Sequence, residues 1–283
     1  MTTLRNTTAG VLGDTAARDY SSKLRLFNAF AAPELRQAVA GLGLKPGMTV
    51  LDAGCGTGEA LQWLADEVGP NGKVFGIDLA TAHVIAAREH APAAAHVLQA
   101  DVLKAPFPPR SFDLIWCVNT INHLREPVRG VETLATLLKP GGRLALGQSS
   151  LLPDMYFAWD ARLERLTTEA VRQYYRDRYG LNEVDLTAVR AIVGVLRQAQ
   201  MRHVTARTFI IERTSPLGSA DEAYLSGAIF RDTWGERLRS YMAEEDFATL
   251  ARLTDAEHPH FALRRPDFHF LQTFTVALGQ TQP

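Results

Sequence analysis

The chain has few of the residues and patterns that mark several classes of protein. It contains only two cysteines, Cys55 and Cys117, and they stand in no metal-ligand spacing, so neither a disulfide framework nor a bound metal is expected. No apolar run approaches the roughly 18 residues of a membrane span. The first twenty residues also lack a signal-peptide core. These absences predict a cytoplasmic protein without a membrane span.

The charge pattern argues against a nucleic-acid partner. The chain has 30 Lys and Arg against 31 Asp and Glu, a net charge of −1, and no basic run. The electrostatic footprint of a nucleic-acid binder is therefore missing. Hydrophobic residues make up 46% of the 283 residues, which is ample for a buried core. The length fits one α/β domain with an added cap better than two domains.

Residues 50–58 hold the most informative pattern in the chain. Val-Leu-Asp, ending at Asp52, is typical of a buried parallel strand, and Gly54, Gly56 and Gly58 then form a turn with almost no side-chain bulk. A helical stripe follows, formed by Leu61, Leu64, Ala65 and Val68. Glycine tolerates positive φ and lets a ligand lie directly against the backbone. A nucleotide-like ligand is therefore expected over the carboxyl end of this strand.

The spacing of the glycines helps to choose the ligand. In a dinucleotide fingerprint, G-x-G-x-x-G, the third glycine comes one residue later than Gly58 does. Further motifs follow in order: Ala-Asp-Val at 100–102, a strand at 112–118, and Leu-Lys-Pro-Gly-Gly-Arg-Leu-Ala-Leu at 138–146. With Asp52 before the glycines, these four motifs resemble those of the class I S-adenosylmethionine-dependent methyltransferases.

The resemblance implies a doubly wound, Rossmann-like α/β sheet of seven strands. The sixth strand is expected at 203–212, and the last, at 268–278, should run antiparallel beside the fifth. A single domain spanning residues 1–283 would comprise an N-terminal helical lid (1–44), a cofactor-binding core (45–149) and two cap insertions (150–186 and 216–258). Residues 1–18, which lack periodicity, are expected to be poorly ordered at the start.

A second acid stands 20 residues beyond Gly58. Asp78 closes the buried strand Val-Phe-Gly-Ile-Asp, and Leu79 follows it. In a doubly wound fold this position places a carboxylate at the tip of the neighbouring strand, where it can accept both hydroxyls of a ribose. NAD and S-adenosylmethionine proteins share this geometry. Asp78 and Leu79 therefore predict a ligand that contains adenosine.

The remaining cofactor residues are carried over from the resemblance. Asp52 and the glycine loop would hold the amino-acid end of S-adenosylmethionine. Asp101 would accept from the exocyclic amine of adenine, while the backbone of Val102 meets the ring. Asn119 would contact the cofactor through its backbone, and Tyr20 would contact it from the lid, although ordinary packing is an equal alternative for Tyr20.

His123 is the candidate general base. It follows the fourth strand by five residues, and histidine suits proton abstraction near neutral pH. A structural position at a helix start is the alternative. Histidines on strands or in a Pro-containing loop have weaker cases for catalysis, and they are His203, His258, His260 and His269. The Asn/Asp-Pro-Pro-Tyr/Phe tetrad common in nucleic-acid and glutamine methyltransferases is absent after the fourth strand, where Asn-Thr-Ile-Asn stands instead.

Aromatic residues are concentrated between 150 and 182, where an insertion should fold over the cleft. They are Tyr156, Phe157, Trp159, Tyr174, Tyr175 and Tyr179. Such a cluster favours a flat or apolar acceptor, with an ordinary cap core as the alternative. The sequence thus predicts O-, C- or N-methylation of a small molecule, similar to the ubiquinone-biosynthesis and natural-product branches of the family and so to secondary metabolism.

Three other functions fit parts of the pattern. A cyclase or isomerase could retain the cofactor without moving its methyl group, and a non-catalytic module could use the same cradle as a sensor. NAD-dependent oxidoreduction fits less well because the glycine spacing differs. The identity of the acceptor and the oligomeric state stay open at this level.

Overall fold

A mixed β-sheet organises the chain in the computed structural model, which describes residues 11–150 except 13, 159–181 and 188–282. The strands are β1 (Thr49–Ala53), β2 (Lys73–Asp78), β3 (Ala95–Gln99), β4 (Phe112–Val118), β5 (Leu138–Ser149), β6 (Arg202–Thr214) and β7 (His269–Gln280). Their order is β3-β2-β1-β4-β5-β7-β6. Strands β1 to β5 are parallel, and β7 lies antiparallel between β5 and β6. The predicted seven-stranded fold and its antiparallel last strand are confirmed.

Alternate residues of the central strands face opposite sides of the sheet, as strand geometry requires. Val50 of β1 and Leu114 of β4 belong to one core cluster, whereas their neighbours Leu51 and Ile115 belong to the other. All four side chains are completely buried. Because both faces are covered, these strands are continuous apolar runs rather than alternating ones.

Helices cover both faces of the sheet. They are α1 (Ser21–Phe30), α2 (Ala32–Ala40), α3 (Glu59–Val68), α4 (Thr81–His90), α5 (Pro127–Leu137), α6 (Ala161–Tyr179), α7 (Ala188–Gln198), α8 (Ser219–Glu222) and α9 (Glu244–Thr254). Helices α2, α3 and α4 contribute to the core cluster on one face, and α5 and α7 to the cluster on the other. Prolines stand in the first turns of α2 and α5, where a missing N–H costs nothing.

The strand order places a crevice at the carboxyl ends of β1 and β4. From β1 the chain proceeds outward to β2 and β3 on one side, and then returns to β4 and β5 on the other. At such a switch point the connections leave in opposite directions, and ligands of open α/β sheets bind in the gap between them. The loops after β1, β2 and β4 therefore define the candidate site.

A cap is built from chain segments that follow β5 and β6. It contains α6, α8, a π-helical segment (Ala223–Trp234), a 3₁₀ segment (Gly235–Tyr241) and α9. The cap rests on α1, where the Phe30 ring stacks on Tyr224 with centroids 4.4 Å apart. This ring contact places the cap beside the N-terminal helices. The π-helical segment is itself unusual, because continuous π-helical geometry is uncommon and recurs at functional sites.

Arg213 of β6 connects the sheet to α2 and to the cap. Its Nη1 lies 2.8 Å from Glu34 Oε1, and its Nε lies 2.8 Å from Asp221 Oδ1. Only 14% of the Arg213 side chain is exposed. The hydrogen bond with Glu34, which outweighs burial, raises the pKa of Arg213 and keeps the guanidinium charged. One arginine thus joins three separate parts of the chain.

The described helices contain none that is both long enough and apolar enough to cross a bilayer. Both cysteines are buried thiols. Burial raises the pKa of each, so Cys55 and Cys117 act as small core residues.

Candidate active site

The glycine loop presents bare backbone at the end of β1. Gly54, Gly56 and Gly58 have φ values of 85°, 52° and 88°. A Cβ at Gly54 would overlap the side chain of Thr120, and a Cβ at Gly58 would lie 2.9 Å from that of Ala87. The loop is therefore held closely between α4 and the loop after β4. Both conformation and space require glycine here.

Asp78 lies at the tip of β2, as predicted, and is fixed by three donors. Its Oδ2 accepts from the Gly56 N–H at 2.9 Å, and its Oδ1 accepts from the Ala80 N–H at 2.9 Å. The same Oδ1 lies 3.1 Å from His83 Nδ1. An ionised carboxylate offers about four acceptor positions, so roughly one is left for a ligand. The predicted pair of ribose hydroxyls would have to share oxygens with these donors.

Three carboxylates surround the glycine loop. Asp52 is only 3% exposed, and burial, followed by the charges of Asp78 and Glu59, raises its pKa well above the ordinary value. Glu59 accepts from Asn28 Nδ2 at 2.7 Å. Within the described ranges no lysine or arginine pairs with any of the three. Asp52 is buried and the other two are half-buried, and carboxylates held this close without a lysine or arginine are costly, so the loop is suited to a cationic ligand.

The predicted adenine-side residues lie at the tip of β3. Asp101 Oδ1 accepts from the Leu103 N–H at 2.9 Å and so caps a short 3₁₀ turn. Val102 is buried, and Leu79 is half-buried. The adjacent Ala100 N–H donates to the Asp78 carbonyl at 2.9 Å, which holds the two strand tips together. These residues thus occupy the same edge of the sheet as the glycine loop.

Asn119 has its side chain committed to the protein. Its Oδ1 accepts from the Ser149 N–H at 2.8 Å and from Ser149 Oγ at 3.0 Å. With a φ of 51°, Asn119 turns the chain sharply out of β4. The side chain fixes this turn, which is compatible with the predicted role of its backbone.

Residues 11, 12 and 14–20, the N-terminal strap, cross the crevice. The Val11 N–H donates to the His123 carbonyl at 2.9 Å, beyond β4. The Thr81 N–H donates to the Ala16 carbonyl at 3.0 Å, beyond β2. Because β1 lies between these strands, the strap passes over the end of β1. Poor order at the start of the chain stays a prediction, since residues 1–10 and 13 lie outside the described ranges.

Tyr20 ends the strap on α4. Its ring meets His83 edge-on with centroids 4.4 Å apart, and Arg18 lies 5.2 Å above the ring. Burial raises the pKa of the Tyr20 phenol. One turn later, Leu24 of α1 lies 3.0 Å from the position that a Gly56 Cβ would take. Strap and α1 together cover the glycine loop, and cofactor contact by Tyr20 stays a prediction.

His123 has a carboxylate partner that the sequence did not reveal. Its Nδ1 lies 2.8 Å from Asp14 Oδ2, and Asp14 Oδ1 lies 3.1 Å from Arg18 Nη1. Burial raises the pKa of Asp14, but the hydrogen bond and charge of His123 and the charge of Arg18 outweigh it, and the pKa is lowered. The only sequence signal was an acid four residues before Arg18. Asp14 is thus ionised and can orient the imidazole.

The cap aromatics divide into two groups. Trp159, Phe230 and Trp234 pack with ring centroids 5.4 to 6.0 Å apart, and Phe230 and Trp234 are 2% exposed, as in an ordinary core. The tyrosines Tyr174, Tyr175, Tyr179 and Tyr241 form the second group and are partly exposed. Tyr156 and Phe157 lie outside the described residues.

The other histidines lie elsewhere. His258 and His260 are exposed neighbours with rings 5.4 Å apart, and His269 pairs with Glu212 at 2.8 Å. His203 has a φ of 50° near the start of the edge strand β6. In the parts of the chain that are described, no three His, Cys, Asp or Glu side chains gather as a metal site.

Comparisons with known proteins agree with this geometry. Residues 44–185 match the family model described as "Methyltransferase domain". The 27-O-demethylrifamycin SV methyltransferase of Amycolatopsis mediterranei is 33% identical over 44% of this chain and 47% of its own length. The 2-phytyl-1,4-naphtoquinone methyltransferase of Thermosynechococcus vestitus is 35% identical over 39% of this chain and 50% of its own. The chain thus spans about half the length of these curated relatives.

A solved structure extends the likeness. The SAM-dependent methyltransferase from Aquifex aeolicus superposes with a TM-score of 0.51 at 26% identity, over 68% of this chain and 92% of that one. The matched family region contains β1 to β5, the glycine loop, Asp78 and His123. The chain therefore belongs to the methyltransferase domain family, with the class I, S-adenosylmethionine-dependent fold.

Proposed function

We propose that the protein transfers a methyl group from S-adenosylmethionine to a small-molecule acceptor and releases S-adenosylhomocysteine. The observation that carries the proposal is the carboxylate cluster of buried Asp52 and half-buried Asp78 and Glu59 around a glycine loop without side chains. A pyrophosphate would be repelled by this cluster, whereas the ammonium of an amino-acid group would be attracted. The same cluster weighs against NAD as the ligand.

Each predicted cofactor residue has a role in this proposal. Asp52 and the backbone of Gly54, Gly56 and Gly58 bind the amino-acid end. Asp78 and Leu79 hold the ribose, and Asp101 and Val102 hold the adenine. Asn119 contacts the cofactor through its backbone, and Tyr20 contacts it from the strap. When bound, S-adenosylmethionine supplies an electrophilic methyl group on a sulfonium. The strap excludes water from this site because it passes directly over the end of β1.

His123 acts as the general base in this proposal. The transferred methyl must lie in line between the attacking atom and its leaving group, so positioning contributes much of the rate. A base is needed only when the attacking atom loses a proton, as in a phenol, an alcohol or a carbon acid. The ionised carboxylate of Asp14 at 2.8 Å holds Nδ1–H and leaves Nε2 to accept that proton. This arrangement favours O- or C-methylation over attack by an amine that needs no base.

The acceptor is proposed to be aromatic or apolar. Partly exposed tyrosines of α6 and the 3₁₀ segment, Tyr174, Tyr175, Tyr179 and Tyr241, would line its site from the cap. Relatives named for a rifamycin and for a phytyl naphthoquinone support a role in secondary or quinone metabolism. The cytoplasmic location stays a prediction from sequence.

The test is a transfer assay with methyl-labelled S-adenosylmethionine and a panel of phenols, quinols and carbon acids. The expected result is label in an organic product with one S-adenosylhomocysteine released per turnover. An acceptor that is converted to a product without label, while S-adenosylmethionine is not consumed, would instead identify a cyclase or isomerase. A sensor would be favoured if the protein bound the cofactor but methylated no class of acceptor, and if His123→Ala bound the cofactor as wild type does.

A further inference from the structure

Lys23 of α1 is a half-buried cation that makes no ion pair with the described residues. Its Nζ donates to Thr233 Oγ1 at 2.6 Å, and Thr233 in turn donates to the Ala228 carbonyl at 2.6 Å. Among the described residues no carboxylate lies within ion-pair distance of the Lys23 ammonium. An ammonium has three N–H donors, so two are not used by this part of the chain. Burial, with the nearby charge of Arg237, lowers the pKa of Lys23 to about 8.

The direction of Lys23 is set by the helix that carries it. Successive residues of an α-helix point about 100° apart around its axis. Leu24 lies over Gly56 of the cofactor loop, whereas Lys23 reaches Thr233 in the π-helical segment of the cap. The ammonium therefore faces the cap, on a neighbouring side of α1 from Leu24, and the charge of Arg18 in the strap also acts on it.

Arg237 adds a second positive charge at the same place. Its Nη1 donates to the carbonyl of Asp232, the residue next to Thr233, so both cations contact consecutive residues of one segment. The Asp232 carboxylate is already paired with Arg231 at 2.9 Å. In the described part of the chain, Arg237 makes no ion pair. Asp232 is thus the acid whose charge acts on both Lys23 and Arg237, and because it is already paired with Arg231 it offsets only part of their positive charge.

Tyr175 belongs to α6, which packs on the 3₁₀ segment that carries Arg237, because the ring of its neighbour Tyr174 lies 6.2 Å from that of Tyr241. Burial raises the pKa of the Tyr175 phenol to about 12, while the charge of Arg237 acts in the opposite sense. Its hydroxyl has no hydrogen-bond partner within the described ranges. The roof of the crevice thus offers two cations and a free hydroxyl, while its floor offers the carboxylates around the glycine loop.

We propose that Lys23, Arg237 and the Tyr175 hydroxyl bind an acidic group, a carboxylate or a phosphate, of the methyl acceptor. The proposal rests on the proposed function, because it defines the class of acceptor. Hydrogen bonds between a cationic donor and an anionic acceptor are the stronger ones in proteins. The acceptor would then present its acid to the cap and its nucleophile to His123.

Inorganic phosphate is the probe, added at constant ionic strength to protein saturated with S-adenosylhomocysteine. Thermal shift and calorimetry should show saturable phosphate binding to wild type. Lys23→Met and Arg237→Met should each weaken it about tenfold or more, as expected for a lost hydrogen bond to a charged group. Lys23→Arg should retain binding. Lys45→Met, which removes an exposed lysine before β1, is the matched control and should bind phosphate normally.

Equal phosphate affinity in wild type, Lys23→Met and Arg237→Met would overturn the proposal. So would weaker binding of S-adenosylhomocysteine to Lys23→Met with unchanged binding of 5′-methylthioadenosine, because the lysine would then hold the carboxylate of the cofactor. Arg237 is exposed, so its variant should fold even if Lys23→Met does not. Normal binding of S-adenosylhomocysteine without a phosphate response would refute this inference alone. Failure to bind either would refute the proposed function.

Discussion

Asp14 Oδ2 lies 2.8 Å from Nδ1 of His123, a residue 109 positions further along the chain. The contact joins the N-terminal strap to the loop after β4, directly over the cofactor crevice. The proposed base is therefore complete only when the strap lies across the site. At its other end the strap reaches Asp78 through Tyr20 and His83. The strap therefore contacts both the residue proposed to bind the ribose and the residue proposed to accept the proton.

We predict that Asp14→Asn lowers kcat about 10- to 100-fold, because an amide holds the imidazole in the wrong tautomer or not at all. His123→Ala should lower kcat at least as much. Affinity for S-adenosylhomocysteine should change little in both variants, since neither residue is assigned to the cofactor. Turnover assays over a range of pH should show the acid limb of the wild-type profile altered in Asp14→Asn.

Asp19→Asn is the matched control for this test, because Asp19 lies on the same strap and only accepts from the Ser21 N–H. It should leave kcat and its pH profile unchanged. Loss of cofactor affinity in Asp14→Asn equal to its loss of kcat would show that Asp14 only anchors the strap.

Asp52→Asn should abolish cofactor binding and yet stabilise the ligand-free protein. The wild-type carboxylate is buried beside Asp78 and Glu59, and a neutral amide removes that repulsion. A gain of about 1 kcal/mol in the free energy of unfolding is expected, as for other substitutions that relieve strained active sites. Calorimetry and chemical unfolding measure the two effects. Asp66→Asn, on the exposed side of α3, should change neither, and a destabilised Asp52→Asn would contradict the electrostatic argument.

The pH dependence of cofactor binding follows from the same group. The pKa of Asp52 is higher in the folded than in the unfolded protein, so its stabilising contribution is present at low pH and is lost as pH rises through the raised pKa. A cationic ligand favours the ionised carboxylate. Affinity for S-adenosylhomocysteine should therefore increase as pH rises through that window, with proton release on binding. Calorimetry in two buffers of different ionisation enthalpy detects the release, and affinity that is independent of pH would refute this role of Asp52.

Gly54→Ala should destabilise the protein and impair cofactor binding together. The added methyl group would overlap Thr120, in a backbone with a φ of 85°. A loss of about 1 to 3 kcal/mol is expected. Gly47→Ala distinguishes the cost of the backbone conformation from the cost of the steric overlap, because Gly47 has a φ of 87° but open space around it. Its cost should be about 1 to 2 kcal/mol, with normal cofactor binding. Equal behaviour of the two variants would exclude the proposed contact with Thr120.

Arg213→Ala should lower the free energy of unfolding by about 3 kcal/mol, because it leaves Glu34 and Asp221 partly buried without their partner. Arg239 also bridges two acids, Glu236 and Glu244, but at the surface. Arg239→Ala should therefore have a clearly smaller effect in denaturant titrations. A similar loss in both variants would show that burial does not decide the strength of these bridges.

The sequence predicted the features that depend on local pattern. Short apolar runs located β1, β2 and β4 within one or two residues, and the glycine spacing, with Asp78 after the next strand, located the cofactor edge. Asp14 was missed because the strap has no periodicity, and its place depends on hydrogen bonds to loops more than 60 residues away. Lys23 was missed for a related reason. It lies in an ordinary amphipathic helix, and only the cap, which follows β6, buries it.

The central claim is that the carboxylates around the glycine loop bind the cationic end of S-adenosylmethionine. Isothermal titration of the purified protein with S-adenosylhomocysteine tests it most directly, with Asp52→Asn and Asp66→Asn titrated in parallel. The account predicts one site per chain in wild type and in Asp66→Asn, and no detectable binding in Asp52→Asn. Absence of binding to wild type, or equal affinity in wild type and Asp52→Asn, would contradict it.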